Sequence, residues 1–159
     1  MTISKALYSS RSEEWATPQA FFDALDAEFH FDLDAAASET NHKCAVYLSK
    51  SPIVTYNAMS VRWAERGRSI FCNPPYGRGI GQWFAKAREA QAAGATVVML
   101  AHARTDTRWW HEHVQGVASE VRFIKGRLKF GDGRQSAPFP SAVIIYRPAG
   151  TTGAGPGSQ

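Results

Sequence analysis

The chain has 159 residues, enough for one domain with a real core and too few for two, and its 44% hydrophobic and 20% charged content excludes a disordered or low-complexity polymer. The net charge of +4 is unevenly placed: Arg122, Lys125, Arg127, Lys129 and Arg134 stand against Asp132 alone between residues 121 and 134, which suits either a phosphate-facing surface or a solvated hairpin face. The longest strong apolar run, TVVMLA at 96–101, is far short of the roughly 20 residues that span a bilayer, and the first fifteen residues lack the apolar centre of a signal peptide, so a cytoplasmic protein without membrane contact is expected.

In chain order, residues 1–12 are expected to be flexible and the small, Gly-rich, uncharged tail 149–159 disordered, leaving 13–148 as a single domain. ATPQAFFDALDAEF, residues 16–29, predicts a helix with Thr17 as its cap, Pro18 in the first helical position, and Phe21, Leu25 and Phe29 on one apolar face. HFDLDAAAS reads as a short strand ending on a carboxylate, Asp34, followed by small residues. Residues 41–63 carry no clear period; a short helix or strand around CAVYL, then a loop, is expected.

RSIFCN, residues 68–73, predicts a second short strand that ends on the corner Asn73-Pro74-Pro75-Tyr76. A helix follows, with Ile80, Trp83, Phe84, Ala87 and Ala90 on its buried face and Gly94 at its end. TVVMLAHA reads as a buried strand, and DTRWWHEHVQGVAS as a helix burying Trp110, His113, Val114 and Val117. EVRFIKGRLKF and SAVIIYR predict two final strands joined by a Gly/Pro-containing connector. Strands alternating with helices imply parallel crossovers, and the last two strands have no helix between them. The expected fold is therefore α/β, a mostly parallel sheet with a C-terminal antiparallel hairpin. Ligands bind such sheets outside the carboxyl ends of the strands, the edge that holds Asp34, the Asn73 corner and the residues after Leu100.

Two consecutive prolines remove two backbone donors and fix two φ angles, so residues 73–76 suit neither a strand nor a helix interior. A rigid corner of this kind can activate a planar amine such as the exocyclic nitrogen of adenine. The Asn73 side-chain oxygen and the Pro74 carbonyl would accept its two N–H groups and favour its more pyramidal, nucleophilic form. Tyr76 would offer an aromatic face to the ring. The plain alternative is a Pro-Pro turn in which Asn73 caps the next helix.

Asn-Pro-Pro-Tyr after an apolar strand is similar to the catalytic signature of amino-group methyltransferases. The wider run EWATPQAFFDALDAEFHFDLDAAAS, IFCNPPYGRGIGQWFAKA, VVMLAHARTDTRWWHE, FIKGRLKF and APFPSAVIIY, across residues 13–147, resembles the phage-type, Dam-like DNA N6-adenine methyltransferases. The resemblance implies a Rossmann-like domain that uses S-adenosyl-L-methionine and acts on an adenine flipped out of double-stranded DNA. It implies a catalytic motif at Asn73, Pro74, Pro75 and Tyr76. Cofactor contacts are implied at Trp15, Thr17 and Pro18, and at Asp34, Ala35, Ala36 and Ala37, where this chain has alanines in place of the usual glycines. Asn57 is a further candidate for the cofactor's adenine edge, with an ordinary loop turn as its alternative. Phe130 or Phe139 would form the second wall of the base site, or else belong to the core. Lys125, Arg127 and Lys129, with Arg104 and Arg108, would face phosphates, although Arg104 has Asp106 as an alternative partner.

His111 and His113 are two apart on a helix and point to opposite sides, and His42 with Cys44 lacks further ligands, so no metal is expected. Cys44 and Cys72 do not form a disulfide framework, and nothing near Cys72 would activate it as a nucleophile. RNA adenine, a protein glutamine amide, or an inactive DNA-binding module of the same fold remain as alternatives at this stage.

Overall fold

A computed structural model describes residues 15–131 and 136–150. The expectations for residues 1–12, for Arg134 and for 151–159 lie outside the described residues.

Helix α1, Gln19–Phe29, precedes strand β1, Leu33–Ala37, and strand β2, Tyr47–Ser49. A 3-10 turn at Trp63–Glu65 leads to β3, Ser69–Cys72. Then come α2, Ile80–Ala92, β4, Thr96–His102, α3, Arg108–His113, β5, Glu120–Phe123, and β6, Ser141–Tyr146. The six strands form one sheet in the order β2-β1-β3-β4-β6-β5. The pairs β1–β2, β1–β3 and β3–β4 are parallel; β4–β6 and β5–β6 are antiparallel. The expected mostly parallel sheet with a C-terminal antiparallel pair is present, and β6 inserts between β4 and β5.

The long periodic segments form as their patterns predict. Ile80, Trp83, Phe84, Ala87 and Ala90 are the buried residues of α2, and Gly94, at φ 99°, follows its end. Residues 97–101 of β4 and all six residues of β6 are buried, as befits strands flanked on both sides by other strands and packed in the centre of the core.

Four expectations fail locally. Thr17 does not cap α1: Pro18 occupies the cap position, and the Thr17 hydroxyl turns inward to accept a hydrogen bond from the Asn73 amide at 3.0 Å. The buried face of α1 is Phe22 and Leu25, with Phe21 and Phe29 only half-buried. The predicted helix over 106–119 is six residues long, capped by the Thr107 hydroxyl, and gives way to turns that include Gly116 at φ 71°. Likewise β5 stops at Phe123, and the rest of the predicted strand is an irregular connector with Gly126 at φ 75°. The unclear region resolves as a three-residue strand at 47–49, and no helix lies between β1 and β2.

Candidate active site

The chain runs from β1 outward to β2 on one side, then returns to β3 on the other side of β1. The carboxyl ends of β1 and β3 therefore flank the point where strand order reverses, the place where open parallel sheets bind ligands. A cleft lies there. Its walls include Trp15, Thr17, Asp34, Ala36, Asn73 and the two prolines, with Asn41, Lys43 and Lys50 on the β2 side. Trp15, Thr17, Asp34 and Ala36, which the sequence singles out for a cofactor, thus meet the Asn-Pro-Pro corner in one cleft.

Asp34 is 3% exposed. One carboxylate oxygen accepts the Ala36 N–H at 3.2 Å, and the other accepts the Lys43 N–H at 2.8 Å. Burial raises its pKa, against the opposing pull of these two backbone donors. Ala35 and Ala37 face the core, and Pro18 contributes its carbonyl to the first turn of α1. Asn57 is not brought to the cleft. Its side-chain oxygen accepts from Met59 N and Ser60 N, and its amide nitrogen donates to Pro52 O and Val54 O, so the side chain is committed to its own loop.

Asn73 is anchored from one end only. Its Nδ2 donates to the Trp15 carbonyl and to Thr17 Oγ1. A carbonyl oxygen can only accept, so the nitrogen must be the atom that faces it, and this fixes the orientation of the amide. The other end, Oδ1, is buried with no hydrogen-bond partner. Such an orphaned acceptor needs a reason, and a donor brought by a ligand is one. After the corner, Gly77 adopts φ 142°, a conformation side-chain-bearing residues rarely take, and its carbonyl accepts the Ile80 N–H that opens α2.

A second, more open cleft of about 310 Å³ adjoins the first, with Trp15 as the shared wall. It is lined by Tyr76, Gly77, His102, Arg104, Pro138 and Phe139. Phe139 packs edge-on to Tyr76 at 5.5 Å and to Trp15 at 5.4 Å; Phe130 packs against Trp15 from 5.5 Å without lining the cleft. The free aromatic face expected of Tyr76 is not presented. Tyr76 is 4% exposed, its hydroxyl donates to the Leu100 carbonyl, and the His102 ring lies over it at 4.5 Å. Burial lowers the His102 pKa, which favours the neutral imidazole. The backbone N–H of Gly131 donates to the Ala16 carbonyl at 3.0 Å, which ties the β5–β6 connector to the segment forming the shared wall.

The basic stretch divides. Arg122 is withdrawn from any phosphate role because Glu28 holds it bidentately at 2.7 Å and Glu120 holds it at 2.6 Å. Lys125, Arg127 and Lys129 are exposed and make no ion pair among the described residues. Arg104 borders the second cleft and does not pair with Asp106; Arg108 makes an exposed contact of 3.4 Å to Glu112. Cys72 is fully enclosed and its thiol is pushed well up by burial, while Cys44 is pushed up to about 12, so neither offers a thiolate. Among the described residues no group of three or more metal-ligating side chains occurs and no helix is long and apolar enough to cross a membrane.

Sequence reasoning missed His102, Trp109, Asn41 and Lys43. Only His102 carried a local signal, a polar ring closing an apolar strand at the ligand-binding edge; the others arrive by tertiary contact.

The α/β sheet thus carries two adjoining clefts on one edge, with an unpartnered amide oxygen in the wall of the first. The chain belongs to the DNA N-6-adenine-methyltransferase (Dam) family, whose model matches residues 4–149. It is similar to the DNA N-6-adenine-methyltransferase of Escherichia phage T1, at 32% identity over 115 residues that cover 72% of this chain and 45% of that protein. It is also similar to the DNA N-6-adenine-methyltransferase of Haemophilus phage HP1, at 25% identity over 146 residues that cover 87% of this chain and 81% of that protein. The chain thus spans less than half the length of the first relative and most of the second.

Proposed function

We propose that this chain methylates the N6 amino group of adenine at particular sites in double-stranded DNA, with residues 13–148 acting as one Rossmann-like methyltransferase domain in the bacterial cytoplasm. The single observation that carries the reading is Asn73: an amide in the wall of the first cleft, held by its nitrogen, with its oxygen buried and unpartnered. Family membership supports the reaction class, and similarity to two phage DNA N-6-adenine-methyltransferases supports adenine and DNA.

The first cleft, at the carboxyl ends of β1 and β3, is the site we assign to S-adenosyl-L-methionine as the methyl donor. That cofactor carries hydroxyl and ammonium donors and a cationic sulfur, and the cleft meets them with a buried carboxylate, Asp34, beside the small Ala36. When bound, it supplies an electrophilic methyl group. Trp15 and Thr17 do double duty, lining this cleft and holding Asn73. The residues do the rest by position. Asn73 Oδ1 and the Pro74 carbonyl accept the two N–H groups of the target amine, which loosens its lone pair from the ring. No side chain becomes covalently attached, in keeping with two thiols held protonated by burial. The base lies on Tyr76 with Phe139 at its edge, beside the second cleft, and a base inside a duplex reaches this place only by flipping. Lys125, Arg127, Lys129 and Arg104 meet the phosphates.

The test uses donor labelled on its methyl group with unmethylated duplex DNA, RNA and bulk protein side by side. Label recovered as N6-methyladenine from DNA is the expected result. Label found only in RNA or glutamine, or on cytosine, overturns the assignment.

A further inference from the structure

The aromatic face that the proposed reaction needs is covered here by a ring of the chain itself. The His102 imidazole stacks on Tyr76 with 4.5 Å between centroids and 27° between planes. Trp109 lies near-parallel to it at 5.6 Å and 21°, and Phe139 stands edge-on to it at 5.6 Å and 83°. A flat nitrogen heterocycle near-parallel to two aromatic rings, with a third closing its edge, has the surroundings that suit a base taken out of its stack. His102 sits where such a base must sit in order to lie on Tyr76 beside the Asn73 corner.

The ring is held chiefly by stacking. His102 Nδ1 is buried without a hydrogen-bond partner. The backbone is fixed: His102 pairs with Ser141 across β4 and β6, and the next N–H, that of Ala103, donates to the Pro140 carbonyl at 2.9 Å. Only the side chain is free to turn. The open cleft of about 310 Å³ that His102 borders with Arg104 and Pro138 gives it somewhere to go, where water or a phosphate can satisfy the nitrogen that the stack leaves unpaired.

We propose that His102 is a positioning residue for the target base. It holds the slot on Tyr76 in the DNA-free protein, turns into the cleft when DNA binds, and yields its place to the adenine, whose amino group then faces Asn73 Oδ1. The proposal rests on the adenine-methylation reading above and adds to it a named occupant of the base site.

Two measurements test it. Protein labelled with carbon-13 at the histidine Cε1 positions is titrated with a duplex in which one adenine faces an abasic site, so that flipping costs little, in the presence of S-adenosylhomocysteine to prevent turnover. The His102 resonance, identified by its loss in His102→Ala, lies upfield in the free protein because two rings lie near-parallel to it. It moves downfield on adding this duplex and stays in place with a control duplex that has no base at that position. In parallel, His102→Phe puts in the slot a ring with no nitrogen to hydrate outside it, and lowers kcat on unmethylated bacterial DNA by about tenfold or more. His102→Ala empties the slot and lowers KM for DNA. The cofactor-induced rise in melting temperature stays unchanged in both variants. An unmoved His102 signal with a duplex that the wild type does methylate overturns the slot proposal and leaves the adenine reading intact, as does wild-type turnover by His102→Phe. Failure of the wild type to methylate either DNA overturns both.

Discussion

At the scale of single residues the account turns on how Asn73 is held. Its two anchors lie 58 and 56 residues away in sequence, at Trp15 and Thr17. The motif itself is legible in the sequence because a Pro-Pro corner after an apolar strand has few structural uses. The anchoring is not legible, because Thr17 before Pro18 carries a helix-start pattern and only the tertiary contact with Asn73 overrides it. This predicts the behaviour of Thr17→Val. The variant keeps size and shape but removes one of the two acceptors for Asn73 Nδ2, at a cost of about 1 kcal/mol to stability. Because the amide is then held only by Trp15, its oxygen loses aim and kcat falls by about tenfold. Thr17→Ser restores both. Thermal melts and initial rates check this, and a Thr17→Val enzyme of wild-type kcat would show that Trp15 alone suffices.

At the scale of elements, legibility follows length. Helix α2 shows five inward positions over thirteen residues, and the buried set matches the sequence pattern residue for residue. Strand β4 is an uninterrupted apolar run and forms where expected. The three-residue β2 and the six-residue α3 are too short for periodicity to outweigh their surroundings. One element boundary is set by a glycine with no sequence signature. Gly67 leads into β3 beside the Asp32 carboxylate, which accepts the N–H groups of Arg68 and Ser69, each at 3.0 Å. A Cβ on Gly67 would stand 2.6 Å from both Asp32 Oδ1 and Leu33 Cβ. Leu33 is fully buried and paired with Ile70, so it has no room to retreat. Gly67→Ala is therefore expected to cost about 1–3 kcal/mol, seen as a lower denaturant midpoint at unchanged slope. An unchanged midpoint would mean that β1 and β3 slide apart without penalty.

At the scale of the whole molecule, charge and sheet act together. The sheet sets both clefts on one edge, and the β5–β6 connector that carries Lys125, Arg127 and Lys129 is tied at Gly131 to the Ala16 carbonyl, next to Trp15. The sequence shows the basic surplus but not its division. Arg122 looks equivalent to its neighbours until the fold places Glu28 of α1 opposite it, 94 residues away. The useful cations are accordingly the exposed ones. Replacing Lys125, Arg127 and Lys129 together with alanine should reduce the slope of log K against log salt by up to about 2.7 for duplex DNA, with little change in melting temperature. Arg122→Ala should leave that slope alone. Binding assays across a salt series separate the two, and equal slopes for wild type and triple variant would remove the connector from the DNA surface.

The central claim is that the unpartnered Asn73 oxygen acts on the amine that is methylated. Single-turnover methylation of unmethylated duplex DNA by wild type and Asn73→Ala, each first shown to gain the same melting temperature from cofactor, tests this most directly. The account predicts that Asn73→Ala binds cofactor normally and forms N6-methyladenine about 10²–10³ times more slowly. A variant that binds cofactor normally and methylates adenine at the wild-type rate would contradict it.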